Sequence, residues 1–329
     1  MDKFPKTLLE AIQYFSDEQV CIDTAVEMLF PNGVHCPECK AEQPYYLKSQ
    51  KRWKCRDCRI QFSIKRGTIF EDSPISLCKW LPAMWLLVNC KNGVSSHELH
   101  RSLGVSQKTA WFMLHRLRLA LNVTSPFMGS FGGGAVKVDE AFIGGKTKNM
   151  HKSRKLKLAR ISGEVNASQS TGYAGKTPVM GMFDRATRKV RAKVVPNVRR
   201  ETLQNEIMDN VCFGSTIYSD QAVAYDTLAK QYAHDTVNHI SSYVRGQVHT
   251  NCLENFWSLT KRNLAGTYVC VEPFHLDRYL DEQMFRFNNR ATKDNPLDDS
   301  DRFLFALSQV ANKRLTYTNL TGKTERPEN

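Results

Sequence analysis

Two cysteine pairs constrain the folding of this chain more than any other feature. Cys36-Pro-Glu-Cys39 and Cys55-Arg-Asp-Cys58 are C-x2-C motifs separated by fifteen residues, which is the spacing of a four-thiolate zinc site. Two residues between cysteines let one tight turn present both sulfurs to the same ion, and two such knuckles complete a tetrahedron. The block from His35 to Ser63 is rich in turns and short β-prone pieces, and is too small to bury a core of its own. One Zn2+ per chain in place of that core makes the site structural, and its removal is expected to unfold residues 35–63. The other six of the ten cysteines are scattered, and in a reducing compartment clustered thiols indicate metal rather than disulfides.

Around the second knuckle stand Lys51, Arg52, Lys54, Arg56, Arg59, Lys65 and Arg66, together with Trp53, a composition suited to gripping phosphates. The whole chain of 329 residues carries 46 Lys and Arg against 33 Asp and Glu, a net of +13. That excess fits a polyanionic partner, nucleic acid before an anionic membrane. No secretory leader opens the sequence and no apolar run approaches a bilayer's thickness, so a soluble, intracellular protein is expected. With 41 % apolar residues and 17 Phe, 11 Tyr and 5 Trp, there is material for two or three folded units.

Helical spacing of apolar residues predicts two short helices between Thr7 and Phe30, and another opening near Pro74 that contains Trp80, Trp85 and Leu86. The segment Val94 to Arg118 then reads as a short helix, a turn at Gly104 and a longer helix capped by Ser106. Leu99, Leu103, Val105, Ala110, Leu114 and Leu117 supply its inward face. Gln107, Lys108, His115 and Arg116 are left to meet a DNA major groove as a helix-turn-helix does, although an ordinary three-helix bundle has the same apolar pattern. Ser130 to Gly134 has the composition of a linker. Beyond it, β-prone segments at Ala135–Phe142, Pro178–Asp184, Val190–Val195 and Ser215–Ser219 are interleaved with helical patterns at Arg200–Val211 and Ala222–Tyr232. The mixture predicts an α/β domain. Further helices are expected at Asn251–Leu264, Pro273–Asn288 and Asp299–Lys313, before a polar, frayed tail from Thr316.

Three acids stand at chemically suggestive places in that domain. Asp139 and Asp220 each end an apolar β run, so neighbouring strands can bring them together. Glu254 lies early in an aromatic helix on which Glu254, Trp257, Ser258 and Lys261 share a side. Converging carboxylates repel unless cations sit between them, and hard oxygen ligands suit Mg2+ or Mn2+. Two such ions serve in-line displacement at phosphorus. Structural readings stand beside this one: Asp commonly starts strand-to-loop turns, and Asn251 with Glu254 matches a capping box. Glu140 is adjacent to Asp139, but strand alternation points the two apart. Asp184 is expected in the Asp184-Arg-Ala-Thr turn of a hairpin.

Nearly the whole chain resembles bacterial insertion-sequence transposases of the DDE class, in the group with an N-terminal zinc ribbon and an ISXO2-like catalytic domain. The likeness rests on Phe30-Pro-Asn-Gly-Val-His-Cys36-Pro-Glu-Cys39, Val138-Asp139-Glu140-Ala-Phe-Ile-Gly-Gly-Lys, Lys193-Val-Val-Pro196 and Arg200-Glu-Thr-Leu. It continues through Tyr218-Ser-Asp220, Asn238-His239, Tyr243-Val-Arg-Gly-Gln-Val-His-Thr-Asn251, Glu254-Asn-Phe-Trp-Ser-Leu-Thr-Lys-Arg262 and Gly266-Thr-Tyr268. The resemblance implies a ribonuclease-H-like fold with the first two acids on adjacent strands and the third on a later helix, at Asp139, Asp220 and Glu254. It implies nicking at transposon ends, attack of the freed 3′-hydroxyls on target DNA, and homo-oligomers that bridge two ends in the bacterial cytoplasm, nucleoid-associated when bound to DNA. His249, Lys261 and Arg262 flank the third acid and are expected as contacts to transposon-end phosphates, a hydrogen-bonded core histidine being the other reading of His249. Gln221-Ala222-Val223 stand where relatives often carry charge, and Cys252-Leu253 where Gly-Ile is familiar; neither change removes a ligand.

Residues 146–160 carry seven basic residues, Lys146, Lys148, Lys152, Arg154, Lys155, Lys157 and Arg160, and no acid, which suits a loop that orders on DNA. The expected division is residues 1–72 for the N-terminal helices and zinc ribbon, 73–128 for the helix-turn-helix, 129–315 for the catalytic domain and 316–329 for the tail. Two rival functions share these features: a DNA-binding regulator or domesticated transposase that no longer cuts, and a nuclease or resolvase that cuts without strand transfer.

Overall fold

Helix starts in the N-terminal region are set by side chains that satisfy free backbone amides. The computed structural model describes residues 4–122, 134–145, 151–153, 175–220, 225, 232–237, 251–293 and 295–322, except the side chains of Asp220, Thr236, Val237 and Asn251. Thr7 and Glu10 form a capping box at α1 (Leu8–Tyr14), and Asp17 caps α2 (Glu18–Leu29). Next come β1 (Tyr45–Leu47), β2 (Arg52–Lys54) and β3 (Gln61–Phe62), an antiparallel sheet in which Trp53 pairs with Tyr46 on one side and Phe62 on the other. Three helices follow: α3 (Leu77–Asn89), α4 (Ser96–Leu103) and α5 (Gln107–Ala120). A Ser95–Glu98 capping box starts α4, Gly104 ends it with φ of 59°, and Ser106 caps α5. Glycine suits that cap because a left-handed φ strains residues with a Cβ.

The chain divides into two units, Met1–Val123 with Asp281–Asn329, and Thr124–Leu280. In the second unit β4 (Val136–Ile143), β5 (Thr177–Asp184) and β6 (Lys189–Val194) run antiparallel as a meander. After α6 (Arg200–Asn210), β7 (Thr216–Asp220) pairs parallel with β4, and β8 (Ala233–Val237) parallel with β7. The strand order is β6-β5-β4-β7-β8. Leu203 and Ile207 of α6 bury against Val136, Val138, Met180, Met182 and Ile217, so α6 covers one face. On the other lies α7 (Asn251–Gly266), in contact with β4 and β5. The architecture is mixed α/β, and the four expected β segments coincide with β4 to β7. The linker residues 130–133, most of the basic stretch 146–160 and most of the helix expected at Ala222–Tyr232 lie outside the described residues.

From Asp281 the chain belongs to the first unit again. There α8 (Leu276–Asn288) completes its length, followed by α9 (Asp299–Ser308) and α10 (Tyr317–Thr321). This differs from the single domain of 129–315 expected from sequence. Phe285, Phe303, Ala306, Leu307 and Val310 join the core built on α1 to α5, with the Phe303 ring 5.2 Å from Phe15 and 5.3 Å from Trp85. Backbone bonds from Ile69 to Val310 (3.0 Å) and from Asn312 to Gly67 (2.8 Å) add to the closure. The tail is also more ordered than its polarity suggests up to Gly322: Thr316 caps α10, and Leu320 is buried.

A charged group locks this closure. Glu282, fully buried on α8, accepts from Arg118 Nε of α5 at 2.6 Å and pairs with Arg286 one turn along. Arg286 Nη1 also donates to the Leu87 carbonyl of α3 at 3.4 Å. Removing the central carboxylate leaves two buried guanidiniums facing each other without their shared counter-charge. Glu282→Gln is therefore expected to destabilise the unit by roughly 3–5 kcal/mol, read as a lowered urea midpoint. An unchanged midpoint would refute the role given to this group.

Candidate active site

Strand alternation sorts the residues around Asp139. Val136 and Val138 face α6 within the apolar core, so Lys137 and Asp139 belong to the face covered by α7. Trp257 Nε1 donates to Asp139 Oδ2 at 3.0 Å. Directly across the ladder from Asp139 is Gly181 of β5, and the indole lies over it: a Cβ on Gly181 would stand 2.4 Å from Trp257 Cζ2 and 3.2 Å from Leu253 Cδ2. Glu254, exposed in the first turn of α7, precedes Trp257 by three residues and shares its side of the helix. Glu140 pairs with Met180, on the face of α6.

Asp220 ends β7. The parallel register sets Val136 beside Ile217 and Lys137 beside Tyr218, and Asp139 and Asp220 each follow two residues further along these adjacent strands. Lys137, also on this face, is buried, and that burial lowers its pKa; the nearby Cys252 thiol opposes the shift and Arg185 adds to it. Asp184 does what a turn requires, accepting from Ala186 N at 3.0 Å and from Thr187 Oγ1 at 2.8 Å. Lys261 and Arg262 are exposed on α7, and His249 lies outside the described residues. The sequence reading missed Gly181, although a glycine amid Val179-Met-Gly-Met-Phe signals a close approach.

In the first unit the ligand atoms of Cys36, Cys39, Cys55 and Cys58 lie within 4.8 Å of one another, and among the described residues this is the one such group of three or more. Four thiols converging on one point fit a structural zinc ion. Burial raises the Cys36 pKa, but hydrogen bonds from the Cys39 and Glu38 backbones outweigh it and bring the thiol to about 7. For Cys58 a backbone bond at Ile60 acts downward, while burial and the neighbouring thiols prevail and push it up to about 12. A cation bound by the four sulfurs displaces the protons that the thiols still carry.

The basic residues around the ribbon divide into two sets. Lys51 pairs with Glu18 at 2.8 Å, Arg66 with Glu38, and Lys65 donates to the carbonyls of Ser73 and Ile75. Trp53 is a core residue, with its ring centroid 4.7 Å from Tyr46 and 6.2 Å from Phe62. Arg52, Arg56 and Arg59 are exposed. On α5, Lys108 is exposed over the Tyr317 ring and Gln107 donates to Ser96 Oγ at 2.8 Å. Two residues depart from expectation: His115 and Arg116 are buried. The Arg116 guanidinium donates to the carbonyls of Leu315, Ile69 and Glu71 at 2.7–3.1 Å, because the returning C-terminal segment covers the side of α5 that local periodicity leaves to solvent.

Two family models match the chain: an ISXO2-like transposase domain over residues 132–288 and a transposase zinc-ribbon domain over residues 16–61. An uncharacterized protein in transposable element ISH50 of Halobacterium salinarum is 28 % identical over 263 residues, covering 77 % of this chain and 85 % of that one. An uncharacterized transposase-like protein of Haemophilus influenzae is 34 % identical over 106 residues, 32 % of this chain and 85 % of the relative. Among solved structures, a chain of a simian T-cell lymphotropic virus intasome in complex with a PP2A regulatory subunit aligns over 66 % of this chain and 72 % of its own at 11 % identity, with a TM-score of 0.32, too low to define a fold.

Proposed function

Because the chain belongs to the insertion-sequence transposases that combine a zinc ribbon with an ISXO2-like domain, we propose that it is a DDE transposase whose Asp139, Asp220 and Glu254 hold two Mg2+ or Mn2+ ions in a ribonuclease-H-like domain. The observation that carries this reading is the docking of α7 by Trp257 onto Asp139, on a strand that pairs in parallel with β7, the strand that ends at Asp220. Three carboxylates from two strands and one helix offer hard oxygen ligands to small divalent cations. When bound, such ions activate a water or a 3′-hydroxyl and neutralise the leaving oxygen at phosphorus. The chain's part is to fix the carboxylates on rigid elements and to hold DNA across them.

The partner is double-stranded DNA, as terminal inverted repeats and as target, engaged by a homo-oligomer. α4 and α5 act as the helix-turn-helix, with Gln107 and Lys108 toward the major groove; His115 and Arg116 have no part in that contact. The ribbon arginines, Lys261, Arg262 and His249 bind phosphates. This work belongs in the bacterial cytoplasm, at the nucleoid.

Purified protein with Mg2+ is expected to nick a duplex carrying the element's end to leave a 3′-hydroxyl, to join that end to a second duplex, and to do neither in EDTA. End binding with no cleavage in either metal would identify a silent regulator. Cleavage without joined product would identify a nuclease.

A further inference from the structure

Gly181 has no conformational need to be glycine. Its φ is not in the left-handed region, and it sits within a regular eight-residue strand pair. Space accounts for it: a Cβ would overlap Trp257 Cζ2 at 2.4 Å and Cη2 at 2.9 Å. A side-chain-free site opposite Asp139 lets the indole cross β5 and bring its N–H to the carboxylate. Apolar burial alone does not require this, since Phe256 and Leu253 already bury the adjacent positions of α7. What the crossing adds is a bond from a neutral donor to a charged acceptor, a strong class of hydrogen bond. The donor stands one turn after Glu254.

We propose that Trp257 is a positioning residue for the cation site, its indole N–H fixing the Asp139 carboxylate while the same helix delivers Glu254, with Gly181 as the clearance that permits it. This rests on Asp139 being a metal ligand. A carboxylate free to rotate presents its oxygens in several directions; one held by a buried ring presents them in one. Partners of ligating side chains typically change metal affinity or activity by 10–100-fold when removed.

The test uses full-length, zinc-loaded protein and Mn2+, with bound metal measured from loss of the free ion's electron paramagnetic resonance signal. Trp257→Phe keeps an aromatic ring and deletes the donor, so it is expected to weaken Mn2+ binding by about 10–100-fold with cooperative thermal unfolding retained. Asp139→Asn is expected to weaken it further. If Trp257→Phe binds Mn2+ within about threefold of wild type, below the usual range for such partners, while Asp139→Asn loses binding, the positioning role is overturned and the metal assignment stands. If Asp139→Asn binds Mn2+ like wild type, the metal assignment itself falls, and the proposal with it.

Should Trp257→Phe fail to fold, wild-type protein labelled with 15N-tryptophan decides. The Trp257 indole signal, identified by eliminating Trp53, Trp80, Trp85 and Trp111 one at a time, is expected to broaden first on adding Mn2+. A Trp257 signal that survives while others broaden overturns the proposal.

Discussion

Replacing Asp139, Asp220 or Glu254 with alanine is expected to lower Mg2+-dependent nicking of end-containing DNA by about 10³-fold or more, in each case with end binding retained. A cation that neutralises developing charge at phosphorus contributes several kcal/mol to transition-state stabilisation, and about 4 kcal/mol is roughly 10³-fold in rate. With the three proposed ligands acting on the same ions, a double variant is expected to be little worse than either single one. Glu140→Gln serves as the internal control: it is adjacent in sequence, carries the same chemistry and belongs to the α6 face with Met180, so nicking should persist. An alanine variant at any of the three positions that still nicks at the wild-type rate removes that residue from the site.

The control shows what a sequence can and cannot disclose here. Alternation over Val136-Lys-Val-Asp-Glu separates Asp139 from Glu140 without any structure, and the hairpin role of Asp184 is equally local. The four-cysteine cluster is legible for the same reason, since a C-x2-C turn leaves its two sulfurs little freedom. The partner of Asp139 is not local. Gly181 and Trp257 lie far from it in sequence, and only the β4–β5 register and the docking of α7 bring the three together. Gly181 is an unremarked residue in a strand until its ladder position is known.

Long-range coverage also explains the misplaced residues of α5. Periodicity assumes one buried stripe, yet Met113 to Arg118 are buried without a break. The additional cover comes from the chain's return: Leu315 accepts from Arg116, Glu282 holds Arg118, and Lys313 donates to the carbonyls of Ala120 and Asn122 at the end of the helix. Helical patterns in α8 and α9 reveal an apolar side but not which core receives it. β8 was missed because Ala-His-Asp-Thr-Val has little strand character of its own, and depends on its five paired residues along β7.

Removing zinc is expected to have the second large effect, confined to one end of the chain. The ribbon's three strands are three, three and two residues long, far below what an isolated sheet needs, and its two knuckles converge through their four thiols. Chelation, or Cys36→Ser and Cys55→Ser, should therefore release about one zinc per chain and unfold residues 35–63, exposing Trp53 and red-shifting its fluorescence. The β4–β8 sheet contains no ribbon residue and should keep its secondary structure. End binding then loses whatever Arg52, Arg56 and Arg59 contribute. Three phosphate contacts correspond to a salt slope shallower by about 2.7, and to roughly 100-fold weaker binding at 0.15 M salt. Metal-free protein that retains both a buried Trp53 and the full salt slope would mean that tertiary packing, not the ion, holds the ribbon together.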